Sequence, residues 1–344
     1  MRLVKSLVLL VALSAVGAGI VAYRAYQTAQ KPFQGYTEEE VFFTVDRGAS
    51  GARIARSLEE RGIVRDRRVF VLALRFLGQG RTVKAGEYRF SEPLSTFEVM
   101  EKLVVGDVFT FAVTIPEGLT LDETADHLAG LNLAERSTLQ ARFEERGEIS
   151  DLDPDAINLE GYLYPTTYRF TRKVRPDEVS QILVNQFKEV FGEKRRARAK
   201  EHGLTPRQVV TLASVIEKET AVPEERPLIA SVFWNRLRIG MPLQSDPTII
   251  YALKLQGRYD GNLRKADLEL DSPYNTYRFP GLPPGPIASP GEASIEAALE
   301  PADTSYLYFV SRNDGSHHFS QSYTEHAKAV REYQVEYFRK RRSR

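Results

Sequence analysis

The sequence contains no cysteine. That excludes disulfides, thiol nucleophiles and thiolate metal sites, and it does not choose between a reducing and an oxidising compartment. Neither sign of charge is in excess: 47 Lys and Arg stand against 46 Asp and Glu, a formal net charge of +1. Two short basic runs, 192–203 and 339–344, carry no aromatic interleaving. The first reads as a solvated helix face and the second as a tail, so nucleic acid is not an expected partner. The patterns GxxxxGK[ST], GxGxxG, HExxH and GxSxG are also missing. His317 and His318 are adjacent and cannot both aim into one site from a strand, which leaves a weak case for a metal centre with Asp314. No metal and no cofactor is expected.

What is present is enough for two or more domains: 344 residues, 42% of them hydrophobic. Near the start, 17 uncharged residues (7–23) follow Arg2 and Lys5 and precede Arg24. At ~1.5 Å per residue they cover roughly 26 Å, just enough to cross a bilayer core. An uncleaved anchor with a cytoplasmic N-terminus is favoured over a cleaved signal peptide, because Ile20, Val21 and Ala22 continue the apolar run. Everything after residue 30 would then lie outside the cytoplasm. A polar spacer with Pro32 and Gly35 follows.

The chain is organised around 207–251. Val209, Val210, Leu212, Ala213, Val215 and Ile216 are too continuous for a surface helix, so a buried one is predicted. Two acids, Glu217 and Glu219, stand where the run stops, before Pro223. At 3.6 residues per turn Glu217 shares a face with Val210 and Ala213, while Glu219 lies nearer Leu212, Val215 and Ile216. Burial and the C-terminal end of the helix dipole both disfavour their charged forms. A carboxyl so placed can donate a proton to a leaving group. The alternative is a pair of helix-end charges, one of them paired with Arg226 or Lys218.

An internal echo precedes this helix. FTVDRGASGARIARSL at 43 aligns without a gap on VTIPEGLTLDETADHL at 113, and YRFSEPLSTFEVMEKL at 88 on YRFTRKVRPDEVSQIL at 168. Each copy reads as strand, glycine turn, Ser or Thr cap and helix, with Thr120 and Glu123 forming a capping box. The units would be 43–105 and 113–190, joined at Gly106 and Asp107. The first, with a second apolar helix at 69–77, resembles a LysM-like βααβ module, a class associated with glycan binding; a spacer without a ligand is the competing reading.

Downstream, 225–237 reads as a helix ending in Asn235 and Arg236. A loop then gathers Gln244, Asp246 and Thr248 around Pro247; these polar groups suit sugar hydroxyls, though Asp246 or Thr248 could be a helix cap. The stretch 271–291 is dense in Pro, Gly and aromatics. Tyr274, Tyr277 and Phe279 could stack on sugar faces, and Asn275 and Thr276 could bond hydroxyls; a stiff loop packed on the core is the other possibility.

LASVIEKET (212–220), SVFWNRL (231–237), MPLQSDPTIIYAL (241–253), SPYNTYRFPGLPPGPI (272–287) and YLYFVSRNDGSHHFS (306–320), together with LEGYLYPTTY (159–168), closely resemble the MltG (YceG-like) family of endolytic murein transglycosylases. The resemblance covers roughly 40–330. It implies an inner-membrane anchor, a LysM-like subdomain and a periplasmic catalytic domain. It also implies cleavage between MurNAc and GlcNAc inside nascent peptidoglycan strands, leaving 1,6-anhydroMurNAc ends and so terminating glycan elongation, with peptidoglycan synthases as possible partners. The catalytic role carries over onto Glu217. Ser289 departs from the pattern, where an asparagine is expected. The rivals are a non-catalytic glycan-binding scaffold and a two-carboxylate muramidase using Glu217 with Asp246.

The expected fold is α+β. Residues 1–26 form the cytoplasmic start and transmembrane helix, 27–40 a linker, 41–106 the LysM-like βααβ subdomain, 107–338 a larger mixed α/β catalytic domain with a buried catalytic helix, and 339–344 a tail. Glu217 is the predicted catalytic acid; Glu219, Asn235, Gln244, Asp246, Thr248, Tyr274, Asn275 and Tyr277 are the predicted substrate contacts.

Overall fold

The computed structural model describes residues 2–77, 82–172, 174–220, 222–337 and 339. The side chains of residues 1–12 and of Ala18, and most of the basic tail, lie outside the described set. The chain divides into two compact units, Met1–Phe111 and Ala112–Arg344.

The first unit begins with α1 (Arg2–Gln30), which carries the apolar run. Part of that run falls on the undescribed side chains; among the described residues no helix is long and apolar enough to cross a membrane. After the spacer come β1 (Val41–Val45), α2 (Gly51–Glu60), α3 (Arg67–Leu77), β2 (Gly86–Phe90) and α4 (Thr96–Val105). β1 and β2 pair antiparallel, Phe43 opposite Tyr88. Alternation along β1 buries Phe43 and Val45 and exposes Thr44, and the buried pair meets Ile54, Leu58, Phe70 and Leu103 from the helices. Strand, helix, helix, strand is thus the topology of 41–90, as the sequence suggested.

The second unit opens on the same order: β3 (Phe111–Thr114), α5 (Leu121–Gly130), α6 (Arg136–Phe143), β4 (Thr167–Phe170) and α7 (Pro176–Val190), with β3 hydrogen-bonded to β4. The echo extends to the caps. Ser50 and Thr120 start α2 and α5, and Gly48 and Gly118 make the preceding turns at φ of +78° and +75°, a region glycine enters without a steric penalty. Glu98 and Glu178 each reach back to a backbone N–H three residues earlier, those of Ser95 and Arg175.

Next come α8 (Glu193–Glu201), α9 (Pro206–Glu219), α10 (Arg226–Arg238), α11 (Asp246–Leu255) and α12 (Glu292–Leu299), then the hairpin of β5 (Tyr308–Ser311) and β6 (His317–Ser320), and α13 (Tyr323–Val330). α9 is the centre of this unit. Val209, Val210, Leu212, Ala213, Val215 and Ile216 are all fully buried, because α10, α11 and α12 pack around it. Burying six such side chains removes enough apolar surface to stabilise the unit by roughly 10 kcal/mol before conformational entropy is counted. The basic helix α8 is not a free cationic face: Arg195 bridges Glu292 and Glu296, and Arg198 bridges Glu300.

The irregular stretch before α12 packs along α9. The N–H of Ile287 donates to Ser214 Oγ at 3.0 Å. Gly161, at φ +84°, lies so close to the same stretch that a Cβ there would stand 2.4 Å from Pro286. The proline-rich segment is therefore, in its second half, a buried wall of α9.

Candidate active site

Thr205 and Gln208 cap the start of α9 with a reciprocal pair of bonds, and its last turn carries both acids. Two residues apart, they point about 200° apart around the axis, so one helix end serves two environments.

Glu217 has a side chain only 6% exposed. Its Oε1 accepts from the Arg226 guanidinium at 3.2 Å and its Oε2 from the backbone N–H of Gly291, the residue capping α12, at 3.0 Å. Arg226 is itself buried and donates to Ser294 Oγ at 3.1 Å. The tight turn at Pro223–Glu225 reverses the chain, which returns the first residue of α10 to the end of α9. The sequence left two readings open for Glu217, a dry niche or a helix-end charge paired with Arg226 or Lys218; the structure pairs it with Arg226 and adds the Gly291 amide, and these two donors fix the carboxylate.

The remaining side of the site is the β3–α5 loop. Gly118 lies against Glu217, where a Cβ would meet Cγ at 3.6 Å. Two backbone bonds, Gly118 N–H to Ser289 O and Ser289 N–H to Leu119 O, strap this loop to the 289–291 segment. Lys218 Nζ donates to Gly118 O at 3.0 Å. Next to Gly118, Glu117 brings a second carboxylate 3.6 Å from the same Arg226 nitrogen. Burial first, and then repulsion from Glu217, holds the Glu117 carboxyl above its ordinary range against the pull of Arg226.

Glu219 faces the other way. Ser245 Oγ donates to it at 2.5 Å. Burial, reinforced by the charge of Asp246, pushes its carboxyl up to about 7, despite the opposing effects of Ser245 and Arg236. The raised proton affinity expected of the helix end is thus found on Glu219.

Most of the polar loop residues gather on the Glu219 side. The N–H of Gln244 donates to Thr276 O at 3.0 Å, and Thr248 Oγ1 meets Thr276 Oγ1 at 2.9 Å. Tyr277 O–H donates to Asp246 at 2.6 Å, and the Tyr274 ring packs on Tyr251 at 5.0 Å. Gln244 sits at φ +49° with its side chain exposed, and Asp246 is exposed beside it. Thr248 and Asn275 are fully buried. The Asn275 amide donates to Leu268 O and Leu270 O and accepts from the Tyr277 N–H. The Asn235 amide donates to Thr304 O and Tyr306 O, both at 2.9 Å. These two amides hold backbone in place. Asp246 acts on Glu219, and the carboxylate that shares Arg226 with Glu217 is Glu117.

His317 and His318 diverge as the strand requires. His317 Nδ1 meets Glu225 at 2.6 Å, while the His318 ring packs on Tyr333.

Comparison with known proteins gives this geometry a context. The chain matches the YceG-like family over residues 43–332. It is 31% identical over 319 residues to a Bacillus subtilis (strain 168) protein named endolytic murein transglycosylase, covering 88% of this chain and 87% of that protein. The chain belongs to the YceG-like family. A Streptococcus pneumoniae (strain D39) protein of the same name is 30% identical; the alignment takes in 95% of this YceG-like chain and 64% of that protein. A crystal structure of a yceG-like protein from Listeria monocytogenes superposes with a TM-score of 0.57 at 32% identity, over 85% of this chain and 99% of that one.

Sequence reasoning on this YceG-like chain missed Glu117, Gly291 and Ser245. One signal was available. The ungapped echo sets Glu117 opposite Arg47, so the acid stands where two otherwise similar turns differ.

Proposed function

We propose that this chain is a lytic transglycosylase that cleaves MurNAc–GlcNAc bonds within peptidoglycan strands. The observation that carries the reading is the buried carboxylate of Glu217, held between Arg226 and the Gly291 amide at the end of α9. The names of the Bacillus and Streptococcus relatives support it.

The chemistry needs one proton shuttle. Glu217 gives its proton to the glycosidic oxygen as the bond from MurNAc C1 breaks, and GlcNAc leaves with a free hydroxyl. The C6 hydroxyl of the same MurNAc attacks C1 and returns its proton to Glu217. The new C1–O6 bond closes the 1,6-anhydro ring, and no water is consumed. A hydrolase would need a second carboxylate to activate water or attack the sugar. Asp246, Tyr277 and Gln244, exposed or partly exposed near Glu219, and Tyr274, packed on Tyr251, are the groups proposed to meet more distant sugars.

We further propose that α1 anchors the chain in the cytoplasmic membrane, leaving both units outside the cytoplasm, in the periplasm. There the LysM-like unit would hold glycan, and cleavage of nascent strands would terminate their elongation beside the synthases. The apolar run at 7–23 supports the anchor.

Product masses test the proposal. Purified peptidoglycan digested by wild type should yield anhydro-ended fragments, and Glu217→Gln should yield none. Fragments heavier by one water would establish a hydrolase. Strand binding without any cleavage would establish a scaffold.

A further inference from the structure

Glu117 is not required by the turn it occupies. In the first copy of the repeat the same left-handed glycine, Gly48, is preceded by Arg47, which is exposed. The fold makes this turn with either charge. In the second copy the acid is placed with care. Its carboxylate shares one guanidinium nitrogen of Arg226 with Glu217, at 3.6 Å and 3.2 Å. It lies flat against Gly291, where a Cβ would stand 2.0 Å from Oε1. The glycine that donates its N–H to Glu217 is therefore also the residue whose missing side chain makes room for Glu117.

Two carboxylates on one cation do not ionise independently; the protons leave the pair in coupled steps. We propose that Glu117 is a positioning residue for the catalytic proton: it divides the charge of Arg226, so that the pair with Glu217 retains one proton at the pH of the reaction. This rests on the reading of Glu217 as the acid. Among the described residues the charged groups around the pair are few. Arg226 faces it from α10, and Lys218 from α9, where its Nζ is engaged by Gly118 O. From α12, Glu292 turns to Arg195. On the 159–166 segment, Tyr164 is held above its ordinary value by burial first, then by the charge of Glu292, with that of Glu117 a smaller contributor. None of these can replace the second carboxylate.

The test is the pH dependence of anhydro-product release by the purified full chain, for wild type, Glu117→Gln and Glu117→Asp. With glutamine, Arg226 belongs to Glu217 alone. The alkaline limb of kcat/KM should then move down by about one pH unit, a loss of about tenfold on the alkaline side with activity regained in acid. Aspartate, which keeps the charge, should retain most of the wild-type profile. A profile that only scales, with both limbs in place, would overturn the proposal. A second readout needs no turnover: the side-chain carbon resonance of Glu217 in glutamate-labelled chain, assigned with Glu217→Gln, should titrate at lower pH once Glu117 is glutamine. If wild type releases no anhydro product, the transglycosylase reading falls, and this titration still decides whether the two acids are coupled; an unmoved resonance would end the inference.

Discussion

The backbone N–H of Gly291 donates to Glu217 Oε2 at 3.0 Å, across 74 residues of sequence. The stretch 271–291, which could have been a sugar-binding loop or a stiff loop packed on the core, is thus fixed at its end to the last turn of α9.

Replacing that glycine separates activity from stability. Gly291 has φ −75°, which any residue adopts, so Gly291→Ala introduces no backbone strain. Its Cβ would collide with the carboxylate of Glu117, the movable end of a side chain 48% exposed. The expected result is a melting temperature near that of wild type with activity lowered about tenfold. In a double-mutant cycle with Glu117→Gln the two losses should fall well short of additive.

Arg226 is the opposite case. It is 7% exposed and neutralises Glu217. Arg226→Met would leave a buried carboxylate without its cation, which costs about 3–5 kcal/mol. Calorimetry should record a marked drop in the unfolding temperature, and Arg226→Met/Glu217→Gln should recover part of it.

Stability should fall as the solution is made alkaline. Burial pushes Glu160 up to about 8 and Glu219 up to about 7, from an ordinary 4.5. Both bind a proton more tightly folded than unfolded. Their contribution is complete below about pH 4.5 and is lost as pH rises through 7 for Glu219 and 8 for Glu160. Glu160 takes the Leu121 N–H and the Tyr251 hydroxyl, contacts that glutamine's oxygen can accept. Glu160→Gln should flatten the decline in melting temperature between about pH 5 and 8; an unchanged slope would refute the assignment.

Two neighbours in the loop should behave differently. Asn275→Ala strands two carbonyls and one N–H in a buried turn and should cost about 2–3 kcal/mol of stability. Tyr277→Phe removes one hydroxyl bond to an exposed carboxylate. It should leave the melting temperature nearly unchanged while raising KM for glycan, if the Glu219 side meets substrate.

Much of this protein was legible in its residues. Periodicity gave the buried helix α9, which begins at its Thr205 cap and stops before Pro223. The ungapped echo gave two strand–helix units, down to the left-handed glycines and the reaching glutamates, because caps and turns are made by residues within four positions of one another. Local chemistry of that kind is written locally. The composition of the site was not. Glu117, Glu217, Arg226 and Gly291 come from four segments, and only the packing of α10 and α12 around α9 brings them together. Helical rotation assigned Glu217 and Glu219 to separate faces from sequence alone, yet which face received the arginine and which the serine depended on where distant loops closed. A carboxylate's chemistry is set by the charges and donors within a few ångströms of it, and those distances exist only once the chain has folded.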